Sequence, residues 1–402
     1  MAVSFVTKTS PVADSEAAPA PDIRQRIDAA VAVARLHADS VDAKARFPRE
    51  AFDELRAQKL LGLLLPVEAA GEAARVTDVA QICYALGRVC SSTAMIFAMH
   101  QANVACVVQH ADVNPKFSVY LRRLAQGQML VASSTTEGNN GANVRTSGAA
   151  IHTDARGISL SRDSSVLSYG ADADAIVSTA RRAPESIGTD QVLVLFFKEQ
   201  YNLTRSMTWN ALGMRGTCSE GYQFEAHGEA EQVLSTPYER IHRHSMMPVT
   251  HLLWAACWAG VAAGGVERAQ GFVRKISRLT KGVLPPGAPF ATQASLSLMT
   301  LVNMVGAALA EYEHRVENES ALDEIVFQTS LNLLKVGASE LAIATVMHAL
   351  NAAGISGYRN DSEFSIGRSL RDILSSSVMI NNNRILANVA TASLLGGVPE
   401  QI

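Results

Sequence analysis

The strand-like residues of this chain are gathered into one middle block. Short β-branched and aromatic runs, MLVASSTTEGNN, ISLSRDSSVLSY, DAIVSTARR, DQVLVLFFK and YQFEA, follow one another from Met129 and are separated by Gly, Asn and Asp. Their spacing of about ten residues is that of a compact antiparallel β domain. No helical pattern is interleaved with them, which excludes a doubly wound α/β fold. The chain divides into a disordered tail rich in Ala, Pro and Ser (1–22), a helical N-terminal domain (23–125), a central antiparallel β domain (126–236) and a helical C-terminal domain (237–402). The fold class is α+β.

The flanking blocks carry helical periodicity. Ile23, Ile27, Ala30, Val31 and Ala34 share one face. Pro48 marks a helix start and Pro66 a stop, and two further helices break near Ser91 and Ser92. Beyond Tyr238 the candidate helices are 248–279, 291–317, 321–353 and 369–395. All are long, apolar and weakly charged. They need partner surfaces, and a four-helix bundle that also oligomerises supplies them.

Composition narrows the function classes. Of 402 residues, 48% are hydrophobic and 18% charged, with a net charge of −3, so the chain folds around a large core. The balanced charge speaks against a nucleic-acid partner. The most apolar stretch, 252–266, is short for a bilayer span, so no membrane association is expected. Five cysteines without a CxxC pair form neither a disulfide framework nor a zinc site; they suit buried thiols in the cytoplasm. His242 and His244 in HRH read as a solvated basic turn, and His100 as a helical histidine with satisfied hydrogen bonds. No metal site is expected. No GxGxxG or GxxxxGK[ST] is present, so neither a Rossmann nor a P-loop site is expected.

Four strings resemble one family. The most specific is LGMRGTCSEGYQFE, Leu212 to Glu225, which is similar to the LGMRGTxS segment and following strand of the acyl-CoA dehydrogenase superfamily of flavoproteins. Taken alone it is a Gly-rich turn between strands, with Gly213 and Gly216 supplying the turn. SSTTEGNNGANV, Ser133 to Val144, resembles the family's C-V-T-E-P-G-A-G-S-D loop, with Gly138 for its Pro and Ala142-Asn143 for its Ser-Asp. VLSYGADADAIVSTAR, Val166 to Arg181, resembles W-I-T-N-G-x-x-A-x-x-Y-x-x-x-A-R without gaps; Ser168 replaces a Thr and Val166 a Trp. LNAAGISGYRNDSEFSIGRSLRD, Leu350 to Asp372, resembles G-G-x-G-Y followed by E-R-x-x-R-D, through Gly354, Gly357, Tyr358, Arg368, Arg371 and Asp372.

The resemblance covers about residues 23 to 395. It implies an acyl-CoA dehydrogenase-like subunit, a homodimer or homotetramer holding FAD between subunits. Thr135, Thr136 and Ser168 would contact the flavin ring. Gly354 and Gly357 would approach the adenosine half of a neighbour's FAD, and Asn382 would be a further cofactor contact. Arg278 is a weak match to the family's cofactor-phosphate Arg. An acyl-thioester substrate, and an electron-transfer partner or flavin reductase, are implied as partners.

The chemistry of α,β-dehydrogenation needs a carboxylate to take the substrate's α proton. In most relatives this is a Glu nine residues after the Arg of R-D; counted from Arg371, that position is Ile380. Some relatives carry the Glu on the first bundle helix, yet there is no carboxylate between Glu239 and Glu267, and Trp254 stands near that place. Glu137, Glu363 and Asp361 are the substitutes on offer. The expected function is an FAD-dependent oxidoreductase, with dehydrogenation of an acyl thioester leading because it dominates the family. The alternatives are a flavin-dependent monooxygenase on the same fold and a catalytically silent flavin or acyl-thioester binder.

Overall fold

The structure is a computed structural model that describes residues 22–111, 115–138 and 143–395. The expected tail, 1–22, lies outside these residues apart from Asp22. The N-terminal helices are α1 (Ile23–Lys44), α2 (Arg49–Ala57), α3 (Val76–Gly87), α4 (Ser91–Gln109) and α5 (Phe117–Gly127). On α1 the buried face is Ala30, Ala34, Ala38 and Val41. Small residues there let α1 lie close against its neighbours. Helix α4 is buried on almost every side, which is why SSTAMIFAMHQANVACVVQ shows no polar stripe.

The helix expected to run to Pro66 ends at Ala57 instead. Leu60, Leu61, Leu63, Leu64 and Leu65 are buried in a chain of turns. A buried turn leaves backbone groups to satisfy, and side chains do so. Gln128 accepts from the Leu61 and Gly62 N–H groups, and Gln101 donates to the Leu60 carbonyl. His100 Nε2 meets the Leu61 carbonyl at 2.9 Å, while its Nδ1 accepts from Val131 N. His100 is thus a fixed neutral ring, its pKa lowered to about 4 by burial.

The middle block forms two sheets. Strands β1 (Val131–Ser134), β2 (His152–Asp154), β3 (Gly157–Leu167), β4 (Ala175–Arg181), β5 (Gln191–Phe197), β6 (Tyr201–Met207) and β7 (Glu220–Gly228) are arranged as β1-β4-β5 and β2-β3-β7-β6. The pairing is antiparallel except for β1 with β4, which is parallel. The chain between those two strands makes the other sheet's β2 and β3, and such a crossover is what parallel pairing requires. QVLVLFF of β5 is buried at every position, as a strand covered on both faces must be.

The C-terminal block comprises α6 (Tyr238–Ile241), α7 (Met247–Leu279), α8 (Ala288–Arg315), α9 (Glu319–Leu322), α10 (Ile325–Ala353), α11 (Ile355–Tyr358), α12 (Gly367–Ile373) and α13 (Asn382–Leu395). The expected helix 369–395 is two helices, α12 and α13. Ile380 has a positive φ of 47°, which no α-helix can contain. Asn381 then accepts from the Asn383 and Arg384 N–H groups and starts α13 afresh.

HRH is not a solvated turn either. It lies in a π-helical turn, His242–Met246, that leads into α7. His242 is held neutral by burial, and His244 is buried with its Nε2 3.0 Å from Asp323. By length and composition, the Tyr238–Leu279 segment, α8 and α10 are each apolar enough to cross a bilayer. The apolar window of the first is wholly buried inside the protein, whereas that of α8 is only 22% buried.

Helices α3 and α7 cross at glycines. A Cβ on Gly260 would strike the Tyr84 carbonyl and lie 3.0 Å from Gly87 Cα. Gly260→Ala is therefore expected to force the helices apart and destabilise the chain by about 1–3 kcal/mol, an overpacking cost read as a lower thermal midpoint. An unchanged midpoint would show that the crossing has room for a methyl group.

Candidate functional site

Three of the four family-like strings converge where the β domain meets the bundle. Asp372 on α12 is buried, and its Oδ1 accepts the Met214 N–H at 2.7 Å. Burial raises its pKa, partly offset by that bond and by one from Ser91 at the start of α4. Arg371 pairs with Asp42 and donates to the Leu212 carbonyl. Gly213 lies directly beneath the Arg371 carbonyl, where any side chain would collide. Gly216 N donates to Ser92 Oγ at 3.2 Å. The Leu212–Ser219 turn is thereby pinned by all three domains.

Behind the turn runs a chain of hydroxyls. Thr217 Oγ1 donates to the Met214 carbonyl at 2.9 Å, Ser219 stands 2.7 Å from Thr217, and Ser168 stands 2.8 Å from Ser219. A carbonyl only accepts, so Thr217's proton is spent on Met214. Ser219 must then donate to Thr217, and Ser168 to Ser219. Ser168 is left with lone pairs and no proton to offer outward. Ser219 and Thr217 were not singled out as site residues from sequence, although both lie in the most specific string.

Beside Ser168, Thr136 Oγ1 donates to the Val166 carbonyl at 3.3 Å. Thr135 is half-buried, and its hydroxyl has no partner among the described residues. Val166 is 42% exposed. An open apolar side chain, an unspent hydroxyl and an outward acceptor on one surface fit a planar aromatic ring with polar edges, such as an isoalloxazine.

Gly354 and Gly357 separate. Gly354 has φ 54° and ψ −134°, a conformation that favours glycine, and a Cβ there would meet nothing within 4 Å. Gly357 is buried against Ala353 and Ile366. The loop joining α7 to α8 lies alongside, because Gly287 sits under the Ala352 carbonyl. At its start Arg278 and Lys281 are exposed, and the described residues give neither an ion-pair partner. Open backbone at Gly354 and a cation-bearing loop packed against the same helix end are features a phosphate-bearing ligand could use.

The carboxylates are placed elsewhere. Glu137 is buried in the β domain, 3.2 Å from Arg162. Its oxygens accept from Ser147 Oγ at 2.7 Å, Gly148 N at 2.7 Å and Ala149 N at 3.3 Å. Burial pushes its pKa up, but Arg162 and these donors outweigh it, and the net shift is downward. Glu363 pairs with Lys275 at 2.5 Å, and Asp361 with Arg359. Asn382, expected at the cofactor, is turned inward. Its Oδ1 accepts from Lys335 at 2.7 Å and its Nδ2 donates to Ser339 at 2.9 Å. Ile380 is 47% exposed and carries no base. Among the described residues no His, Cys, Asp and Glu cluster could hold a metal ion.

Glu137 is a structural anion. Glu137→Gln leaves Arg162 buried with Nε and Nη2 already unpartnered, and removing one partner of a buried pair costs about 3–5 kcal/mol. The sign with pH follows from the lowered pKa. Glu137's contribution is present above the ordinary value of 4.5 and is lost as pH falls through its lower folded value. Acid unfolding of the two proteins should show the wild-type advantage shrinking below pH 4.5. A gap independent of pH would contradict the assignment.

Comparisons with known proteins agree with this layout. Residues 22–128 match the family described as acyl-CoA dehydrogenase, N-terminal domain. Cyclohex-1-ene-1-carbonyl-CoA dehydrogenase of Geobacter metallireducens is 25% identical over 360 residues, spanning 88% of this chain and 92% of that protein. Among solved structures, FMN-bound TdsC from Paenibacillus sp. A11-2 superposes with a TM-score of 0.80 at 20% identity, covering 93% of this chain and 98% of that one. Methanesulfinate monooxygenase MsuC from Pseudomonas fluorescens gives 0.79 at 18% identity, covering 94% and 98%. With the helical, β and helical blocks in this order and the four strings in place, the chain has an acyl-CoA dehydrogenase-like fold whose N-terminal domain matches that family, with Ile380 where the usual catalytic Glu would stand.

Proposed function

We propose that this protein is a flavin-dependent oxidoreductase of the oxygen-consuming, monooxygenase type. The carrying observation is that, among the described residues, no free carboxylate stands at either of the family's base positions. Ile380 occupies the usual position, the buried stretch of α7 has no carboxylate, and Glu137, Glu363 and Asp361 are spent in ion pairs. Removal of a weakly acidic α proton has no acceptor in such a site. A reduced flavin bound there would supply two electrons to oxygen, one oxygen atom entering the substrate and the other leaving as water. Ser168, as an outward acceptor, suits a ligand N–H, which a reduced flavin ring carries and an oxidised one lacks at its central nitrogen. The fold relatives support the reading: TdsC, a dibenzothiophene monooxygenase, binds FMN, and MsuC is a methanesulfinate monooxygenase.

Acyl-thioester dehydrogenation is the second reading, favoured by the Geobacter dehydrogenase that aligns over 88% of this chain. The two separate in one assay. Flavin-loaded protein is mixed anaerobically with a panel of acyl-CoAs, then separately with a flavin reductase, oxygen and candidate small substrates. The proposal expects no bleaching in the first and substrate-dependent oxygen insertion in the second. Bleaching by a thioester would overturn it.

The flavin is FAD or FMN, and substitution of Arg278 would tell the two apart. If FAD is used, Arg278→Ala should weaken FAD about tenfold, a loss of about 1.4 kcal/mol, while FMN affinity holds. Equal affinities before and after would assign FMN. We further propose that a second copy covers the outward face of α8, where Leu296, Met299 and Val302 are exposed, giving a homodimer or homotetramer that light scattering would detect.

A further inference from the structure

Lys335 is a lysine of an unusual kind. It lies on α10 between apolar turns, at 0% exposure, and none of the ion pairs of the described residues includes it. Burial lowers its pKa to about 8. An unpaired buried cation is costly, and it persists only where its hydrogen bonds are needed. Its Nζ donates to the Ile380 carbonyl at 2.6 Å and to Asn382 Oδ1 at 2.7 Å. Asn382 is fixed in turn by Ser339, whose own hydroxyl is held by the Val336 carbonyl at 2.7 Å. Across the bundle the Trp258 ring lies 5.8 Å from Nζ. His251, also on α7, is bonded to the Leu331 carbonyl and held neutral by burial.

The residue whose carbonyl Lys335 takes is itself strained. Among the described residues Ile380 is the one β-branched side chain with positive φ. For such a residue the left-handed region is a true outlier, costly enough that surrounding structure must impose it. The segment is fastened at both ends. Asp372 ties its beginning to Met214 of the β domain, and Lys335 ties its end to α10.

We propose that Lys335 is a positioning residue of this site, holding the 378–382 turn so that Ile380 is kept left-handed and presents an apolar side chain to the ligand space. The ammonium does not touch the reacting atoms. It acts through the backbone it grips. That the turn borders a flavin and an organic substrate rests on the proposed function; that Lys335 sets the turn does not.

Hydrogen exchange on the full chain without flavin separates the two. In Lys335→Met, amides of 374–383 should exchange about tenfold or more faster, while α7 and the rest of α10 keep their protection. Adding Ile380→Gly should return the segment to within about threefold of wild type, because glycine adopts positive φ without a Cβ clash. A lysine that merely filled the core would speed exchange equally in both backgrounds, and that result, or no acceleration at all, overturns the proposal. Should Lys335→Met fail to fold, Ser339→Ala is read instead. It removes only Asn382's second partner and should loosen the same segment about threefold; unchanged exchange there would count against the proposal. Protein that never takes up flavin sinks the functional reading while leaving the exchange result to stand.

Discussion

A single buried carboxylate joins the three parts of this molecule. Asp372 belongs to the bundle, its acceptor oxygen holds Met214 of the β domain, and Ser91 at the first turn of α4 supplies a further bond. The N-terminus of a long helix carries partial positive charge, so α4 helps hold the anion that burial disfavours. Gly213 allows the contact, since its missing side chain lets the β-domain turn lie against the Arg371 carbonyl. Arg371 and Arg368, reaching to Asp42 and Asp39 on α1, brace the same junction from its rim. The surface around Ser168 exists only because these three domains are held in one geometry.

Much of this was legible in the sequence. The clustering of β-rich runs located the sheets, and LGMRGTCSEGYQFE and RSLRD stand out as family-like strings, although nothing local in either says that the two meet. What was not legible depended on long-range partners. LLGLLL reads as helix by composition, but Gln101, His100 and Gln128 offer its backbone other bonds, and it becomes buried turns. The parallel pairing of β1 with β4 leaves no local mark. HRH looks solvated because three basic residues usually are; here Asp323, about eighty residues away, bonds both Arg243 and His244.

The last bundle helix shows the same limit at closer range. Helical propensity across 369–395 is continuous enough to suggest one helix. The interruption is imposed from outside. Lys335, distant in sequence, takes the Ile380 carbonyl out of any helical ladder, and Asn381 caps the new helix. A lone lysine among Leu and Val on α10 was the available signal. Such a residue must find acceptors within reach, and a loop carbonyl with an amide beside it is what it found.

The missing carboxylate and the strained isoleucine belong to one design. A carboxylate at position 380 would share its turn with the Lys335 ammonium, which already grips the backbone there, and a Glu paired with that cation would lose basicity. An isoleucine has no such coupling, so the cation can serve the backbone alone. On the β-domain side the hydroxyl protons are ordered inward through Ser219 and Thr217, and on the bundle side Ile380 presents a half-exposed apolar side chain. Neither can take a proton as a carboxylate would. Oxygen activation by a bound reduced flavin, the reaction proposed for this protein, asks no such base of either surface.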